Sequence, residues 1–246
     1  MHTPASINPE SDAAANSTVV RDRQGDIRIE RLGCEGLPIA IVDNFADDPD
    51  QLIAFACEAH FEKIGAFYPG PRARAPSAYM TGVASIVAPV VSALFGGGDS
   101  LRLDRALFSI ATTPPKELTL AQRFPHIDSV NERAIAIVHY LSQNEFGGTA
   151  FYRHRATGFE SVSEARHARY LDKLKSDILK FGEPSPAYIA GDTTLFEQIG
   201  RVEAKFNRAV IYRSNQLHCA ILPNDAPLPV APREGRLTIA SFLTIQ

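Results

Sequence analysis

Histidine and aspartate stand two positions apart in the segment FPHIDS, which spans residues Phe124 to Ser129. On an extended strand, side chains at positions i and i+2 leave from the same face, so the His126 imidazole and the Asp128 carboxylate would project side by side. Another donor, His218 in the segment SNQLHCA, follows far along the chain. Imidazole and carboxylate groups are common ligands of divalent metals. We therefore interpret FPHIDS as a short strand and predict that His126, Asp128 and His218 bind one metal ion as the catalytic residues.

The elements that must position these ligands are mostly strands. In the segment from Arg133 to Leu141, period-two alternation puts Ile135, Ile137 and His139 on one face and Ala136, Val138 and Tyr140 on the other. Further strand-like runs occupy Leu101–Thr112, TAFYRH, Arg208–Tyr212, Leu217–Leu222 and Arg236–Ile245, whereas Thr194–Phe206 shows no clear pattern. Many short strands with turns between them predict a mainly β fold with flanking helices, of the double-stranded β-helix (jelly roll, cupin-like) type.

The chain is predicted to form one domain after a short tail. Residues 1–25 are small and polar, which indicates a disordered or loosely attached segment. Residues 26–246 form the predicted domain, with N-terminal helical and loop support over 26–100 and the jelly-roll core over 101–246. The support contains a helix that begins at Asp48 and Pro49, and a second helix at 80–95 that Pro89 should kink or split. An amphipathic helical insertion is predicted at about 161–181, with Ser161 and Glu164 as a capping box.

Composition narrows the partners and the compartment. A net charge of -3 and a sequence isoelectric point near 6.2 give no global attraction to polyanions, so nucleic acid is an unlikely partner. The three cysteines form no disulfide or zinc pattern, and the N-terminus has no secretory signal. No run of about 18 apolar residues is evident, so we expect no membrane span and a cytoplasmic protein. The sequence does not indicate the oligomeric state.

Four segments in a fixed order carry a family resemblance. HID, HYLSQNEFGGTAFY, LHCA and GRLTIASFL resemble the Fe(II)/2-oxoglutarate-dependent oxygenase superfamily over roughly Leu101 to Gln246. Within it the chain is most similar to an uncharacterised bacterial branch, distantly like the prolyl hydroxylases. The resemblance implies Fe(II) at His126, Asp128 and His218, with 2-oxoglutarate as cosubstrate and O2 as oxidant. It also implies a hydroxylase that acts on an amino-acid, peptidyl or small-molecule substrate and forms succinate and CO2.

An oxo-acid cosubstrate needs a cation for its distal carboxylate, and arginine offers a two-pronged donor. Arg236 begins the last strand, and Thr238 lies two residues on, so the pair resembles the Arg-x-Ser signature of the superfamily. Tyr140 is predicted either to contact the oxo acid or to pack in the core. A proline-rich segment separates His218 from Arg236 and leaves Arg213 and Arg233 as alternative anchors. The loops at 66–75 and 222–235 are the expected substrate contacts.

Several other hypotheses about the function stay open. One is a cupin-like metal-binding protein without 2-oxoglutarate turnover, a second is a zinc hydrolase, and a third is a module that uses the basic residues between Arg153 and Lys175 to bind a partner. Arg72 and Arg74 are equally compatible with guiding an anionic substrate and with a solvated loop. His139 is predicted to be a hydrogen-bonded core residue, and Cys219 a packed thiol that is not a metal ligand.

Overall fold

The computed structural model describes residues 18–21, 26–65, 67–96, 98, 100–144 and 146–246. Within them the chain is mainly β-sheet with some helices. The strands are β1 (Thr18–Arg21), β2 (Asp26–Leu32), β3 (Leu37–Val42), β4 (Arg72–Arg74), β5 (Leu101–Ala111), β6 (Ala134–Tyr140), β7 (Gly148–His154), β8 (Phe196–Glu203), β9 (Arg208–Arg213), β10 (His218–Ile221) and β11 (Arg236–Ile245). The helices are α1 (Pro49–Glu58), α2 (Ala78–Phe95) and α3 (Glu164–Phe181), and short 3-10 turns cover Pro115–Glu117 and Leu120–Arg123.

The strands form two antiparallel sheets. The large sheet has the order β1-β2-β3-β9-β6-β11-β5-β4, and the small sheet has the order β10-β7-β8. The sheets pack face to face: the rings of Phe151 and Tyr212 meet edge to face at 5.2 Å, and the hydroxyls of Tyr140 and Thr149 lie 2.6 Å apart. The inner faces of the two sheets therefore enclose the space in which a site can form.

Helices α1 and α2 cover the outer face of the large sheet. The Asp48 carboxylate accepts a hydrogen bond from the Gln51 amide at 2.9 Å and Pro49 is the first helical residue, as predicted for α1. In α2, Val83, Val87 and Val90 are buried in the same cluster as the outer face of the sheet. The helix continues past Pro89 as one element, so the predicted split does not occur.

By length and composition alone, α2 is apolar enough to cross a membrane, with a mean hydropathy of 1.7. The sequence analysis found no unbroken apolar run here because small residues such as Gly82, Ser85 and Ser92 interrupt it, but they lower the mean hydropathy only a little. In the structure α2 packs against the large sheet, and buried helices of soluble proteins meet the same criterion.

Strand β6 follows its predicted alternation. Ile135 and Ile137 face the helices, whereas Ala136 and Tyr140 belong to the cluster between the sheets. His139 is fully buried on the helix side, where its Nε2 lies 3.0 Å from Asn207 Oδ1 and its Nδ1 lies 3.2 Å from the Tyr79 hydroxyl. The prediction of a hydrogen-bonded core histidine is confirmed.

Three local predictions need correction. The segment FPHIDS is not a regular strand, because Pro125 has no amide hydrogen to donate and only His126 makes a bridge, to His218. The insertion helix begins at Glu164 with Ser163 as its N-cap, since the Ser161 hydroxyl donates to Glu35 at 2.6 Å instead of capping the helix. The unassigned segment at 194–206 contains strand β8.

The predicted tail lies mostly outside the described residues. Residues 1–17 and 22–25 are not described, and Thr18–Arg21 form β1, which pairs with β2. This pairing adds an edge strand to the large sheet, far along the sheet order from β11 and β5.

Candidate metal centre and its cavity

A cavity of about 630 Å³ opens between the two sheets. Its walls come from the inner faces of β6, β9, β11, β7 and β10, from helix α3, and from the loop before β4. Most lining side chains are apolar, and Asp128 is the only acid among the described residues that line it. A largely apolar cleft with a few polar groups is the usual form of a small-molecule site.

His126, Asp128 and His218 meet at one wall of this cavity. Their potential ligand atoms all lie within 4.8 Å of one another. The Asp128 carboxylate is 3.8 Å from His126 Nε2 and 3.4 Å from His218 Nε2, and the two imidazole rings are 4.5 Å apart between centroids. The structure therefore brings together the three residues that the sequence selected.

Backbone hydrogen bonds, not a regular strand, position the three residues. The amides of His126 and His218 each donate to the other residue's carbonyl at 2.9 Å, and the Asp128 amide donates to the Ser214 carbonyl at 2.8 Å. His218 Nδ1 lies 2.9 Å from the Gln216 carbonyl, which can only accept, so Nδ1 carries the hydrogen. The Nε2 lone pair of His218 is then directed at Asp128 and is available to a metal.

The electrostatics of the site favour a neutral His126. Its side chain keeps 44% of its surface exposed, and it lines the cavity. The surrounding protein lowers the pKa of His126 below its usual value, mainly by restricting its solvation, with further lowering by His218 and Arg72 and an opposing contribution from Asp128. A neutral imidazole is the form that binds a metal, so no proton has to be displaced from His126 at neutral pH.

The predicted anchor lies in the same cavity. Arg236 is 3% exposed and lines the cavity together with Thr238, two residues along the same face of β11. Its guanidinium donates to the Gly148 carbonyl at 3.0 Å and, more weakly, to the Phe146 carbonyl at 3.4 Å. Among the described residues, no carboxylate forms an ion pair with Arg236. A buried guanidinium without such a partner is suited to hold a ligand carboxylate.

The ring of Tyr140 lies beside the guanidinium of Arg236. Its ring centroid lies 5.8 Å from the guanidinium carbon, and its hydroxyl is already paired with Thr149, which lines the cavity. The alternative anchors lie elsewhere. Arg213 donates to the Phe95 carbonyl on the helix side of the sheet, and Arg233 is exposed on its loop.

Tyr68 is a site residue that sequence reasoning missed. Its hydroxyl is buried in the cavity wall and has no hydrogen-bond partner among the described residues. Burial raises the pKa of Tyr68, and nearby Arg236, Arg72 and Thr238 oppose that rise. An oxyanion placed beside Arg236 and Thr238 would supply the missing acceptor. The only sequence signal was its position in the loop at 66–75, which was predicted to contact substrate.

Of the two loops predicted to contact substrate, the loop at 66–75 contributes more residues to the cavity wall than the segment 222–235. Phe67, Tyr68 and Arg72 line the cavity, whereas Leu222 is the only residue of the segment 222–235 that does so among those described. Cys219 is buried in the hydrophobic cluster of the small sheet, which also contains Tyr152. It does not belong to the group of His126, Asp128 and His218 that could hold a metal. Burial raises the pKa of the Cys219 thiol to about 12.

Comparison with known proteins gives a family but no activity. The model of a family described as "Family of unknown function (DUF6445)" matches residues 23–243. No curated protein matches the chain. Among solved structures, the chain is similar to one titled "Crystal structure of EctD from S. alaskensis with bound Fe". The identity is 12%, the match covers 87% of this chain and 73% of that chain, and the TM-score is 0.42. A likeness this low assigns no function.

Proposed function

The chain belongs to the DUF6445 family of unknown function, and from its site we propose that it is an Fe(II)- and 2-oxoglutarate-dependent oxygenase. His126, Asp128 and His218 would hold the metal. The reaction would be hydroxylation of an amino-acid, peptidyl or small-molecule substrate, with succinate and CO2 as coproducts.

The proposed fold is the double-stranded β-helix. From β5 onward, the chain enters the large sheet, touches the small sheet at the His126 bridge, and returns to the large sheet at β6. Strands β7 and β8 lie in the small sheet, β9 in the large, β10 in the small and β11 in the large. This repeated crossing between two facing sheets supports a jelly roll. Such a fold brings ligands from distant parts of the chain to one cavity.

The observation that carries the proposal is the meeting, in a single cavity, of three potential ligands and the buried Arg236, which has no carboxylate partner among the described residues. Atoms that each lie about 2 Å from a common metal are at most about 4 Å apart. The two carboxylate–imidazole separations, 3.8 and 3.4 Å, meet that limit. Two imidazoles and one carboxylate on one side of a metal leave the other side for reactants.

The chain's own groups would bind and orient the cosubstrate. Arg236 would hold the distal carboxylate of 2-oxoglutarate, with hydroxyl donors from Thr238 and Tyr68. When bound, Fe(II) and 2-oxoglutarate supply the oxidising chemistry, in which O2 oxidises both the oxo acid and a substrate C–H bond. Phe151 and Tyr212 pack against His218 and restrict its ring, with centroids 6.4 and 4.7 Å away. The apolar wall limits water near the reacting atoms.

The test is cosubstrate turnover without added substrate. Protein incubated with Fe(II), ascorbate, O2 and 2-oxoglutarate should form succinate, and bound metal should be measured in parallel by elemental analysis of anaerobically purified protein. Asp128→Asn and His218→Gln should each lose metal affinity by about tenfold or more and lose succinate formation. His60→Gln, an exposed histidine outside the cavity, should match wild type in both assays.

Two results would overturn the proposal. Tightly bound zinc with an activity that persists without O2 would identify a hydrolase. Metal bound through the triad with no succinate formed would identify the cupin-like alternative without 2-oxoglutarate turnover.

A further inference from the structure

Two arginines on neighbouring strands line the cavity in addition to Arg236. Arg72 lies on β4 and Arg105 on β5, the two strands at that edge of the large sheet. Neither guanidinium forms an ion pair with a carboxylate of the described residues. Arg105 is exposed, whereas Arg72 is partly buried. Cations withdrawn from solvent are normally paired, so the unpaired Arg72 needs an explanation.

Each guanidinium lies over an aromatic ring. The guanidinium carbon of Arg72 lies 4.2 Å from the Tyr68 ring centroid, and that of Arg105 lies 4.4 Å from the Phe242 ring centroid. A cation–π contact of this kind favours one position of the guanidinium without using its N–H donors. One of those groups, Arg72 Nε, is buried and has no hydrogen-bond partner among the described residues. A buried donor without an acceptor is the place where a ligand acceptor fits.

Arg72 is close to the metal centre as well as to Arg105. Burial lowers the pKa of Arg72, with a smaller lowering by Arg105, while Tyr68 and Asp128 raise it. His126 and Asp128 line the same cavity as Arg72. The guanidinium with the unsatisfied Nε therefore shares the cavity with both the aspartate and one histidine of the triad.

The net charge of the cavity with metal and 2-oxoglutarate bound would also favour an anionic substrate. Asp128 would offset one charge of a divalent metal, and 2-oxoglutarate would offset the other metal charge and Arg236. Arg72 and Arg105 would then remain as an excess of positive charge in a cavity with no other acid among its described lining residues. The rest of the wall is apolar and includes Phe67, Phe124, Ile127, Leu171, Leu174 and Ile189.

We infer that the substrate is an amphiphilic anion, an apolar body that carries one oxyanion, and that Arg72 and Arg105 bind the oxyanion while the apolar wall holds the body. Carboxylate, phosphate and sulfonate share the chemistry that a guanidinium recognises. The reacting site is the triad described above, so this substrate class rests on the proposed function.

A matched pair of fluorescent probes tests the binding step without metal or cosubstrate. 8-Anilinonaphthalene-1-sulfonate carries an oxyanion on an apolar ring system, and N-phenyl-1-naphthylamine is the same ring system without it. Arg72→Gln and Arg105→Gln should each weaken binding of the sulfonate by about tenfold, the value of one charge-assisted hydrogen bond, and change binding of the neutral probe less than about twofold. Arg102→Gln is the control, because this substitution removes the same charge from β5 outside the cavity, where Arg102 pairs with Asp104.

Competition then separates the two natural sources of the oxyanion. Bound sulfonate probe should be displaced by 3-phenylpropanoate if the site selects a carboxylate, or by phenyl phosphate if it selects a phosphate, and not by 3-phenylpropanamide. Displacement by the amide as readily as by the acids, or by none of the three compounds, would overturn the inference. So would equal losses of both fluorescent probes in Arg72→Gln, which would mean a general disturbance of the cavity, or no loss of either.

The outcomes distinguish this inference from the proposed function. If the wild type forms no succinate but discriminates between the two probes through Arg72, the anion site stands and the oxygenase assignment fails. If succinate forms but Arg72→Gln binds both probes as the wild type does, the oxygenase stands and the amphiphilic anion is wrong.

Discussion

Replacement of Arg236 by glutamine tests the least obvious part of the proposed site. Arg236 is 3% exposed, and its guanidinium already donates to the Gly148 carbonyl at 3.0 Å. Glutamine keeps a hydrogen-bond donor for that carbonyl but has no charge. If Arg236 holds the distal carboxylate of 2-oxoglutarate by two charge-assisted hydrogen bonds, their loss costs about 3 kcal/mol. That free energy corresponds to a dissociation constant raised roughly 100- to 200-fold.

Two assays measure this change. Isothermal titration calorimetry without oxygen gives the affinity of the metal-loaded protein for 2-oxoglutarate, and succinate formation gives the KM. Metal content should stay at the wild-type level, because Arg236 is not one of the three ligands. Arg233→Gln is the matched control, since Arg233 is an exposed residue of the preceding loop and was the rival anchor in the sequence. It should change neither the affinity nor the KM.

A KM for 2-oxoglutarate within about threefold of wild type in Arg236→Gln would refute the reasoning. Loss of metal together with cosubstrate binding would instead indicate a packing defect, and Arg236→Lys then decides. Lysine restores the charge without the two-pronged geometry, so we expect an affinity between those of wild type and Arg236→Gln.

Two further predictions concern stability. His139 is fully buried, and burial lowers its pKa to about 4, below the usual 6.5 of the unfolded chain, so the unfolded state binds the extra proton. The stability that the neutral His139 contributes is complete above pH 6.5 and is lost as the pH falls toward 4. Between pH 7.5 and 5, the free energy of unfolding measured in urea should therefore fall by about 2 kcal/mol less in His139→Gln than in wild type. Equal falls in the two proteins would contradict this. The buried Glu160 carboxylate forms an ion pair with Arg153 at 2.6 Å and accepts a hydrogen bond from the Cys34 amide. Glu160→Ala should therefore cost about 3–5 kcal/mol by the same assay, against less than about 1 kcal/mol for Glu197→Ala, the more exposed partner of Arg153, and similar losses in both would refute the assigned burial effect.

The parts of the site that sequence could predict are those with a short-range signal. The alternation of β6 separates His139 on the helix side from Tyr140 on the inner side, and the structure follows it. Arg236 and Thr238 share a face because they are two residues apart on a regular strand, and both line the cavity. Period-two spacing reports the face of a strand whatever the rest of the chain does.

The parts that sequence missed depend on tertiary contacts. Strand β8 reads FEQIGRVE, in which Gly200 interrupts the pattern, and its pairing with β7 is irregular next to Phe151. Tyr68 lies in an irregular loop, where no periodicity indicates which way a side chain points. Its place in the proposed site comes from its nearness to Arg236 and Thr238, which approach it only in the folded chain.

The segment FPHIDS shows how side chains can converge as predicted although the predicted local structure is wrong. The side chains of His126 and Asp128 do converge, but through one bridge to His218 and one hydrogen bond from the Asp128 amide to the Ser214 carbonyl. The i and i+2 rule needs only a locally extended backbone, and these two contacts supply it without a regular strand. Both partners of the segment belong to one stretch of chain, at 214–218, so the three ligands are fixed relative to each other by backbone hydrogen bonds before any metal binds.

The metal side and the proposed anion side of the cavity are held by different numbers of backbone contacts. The metal side rests on reciprocal backbone bonds to His218 in the small sheet and on a buried Arg236 in the large sheet. The proposed anion side begins on β4, a three-residue strand at the edge of the sheet that pairs with β5 and makes one bridge to Glu62. It continues into the loop that carries Tyr68. Short edge strands open more readily than central ones, so we expect the proposed anion wall to adjust while the proposed metal ligands stay in place. On this proposal, substitutions in the β4 region would change the substrate and leave the chemistry at the triad unchanged.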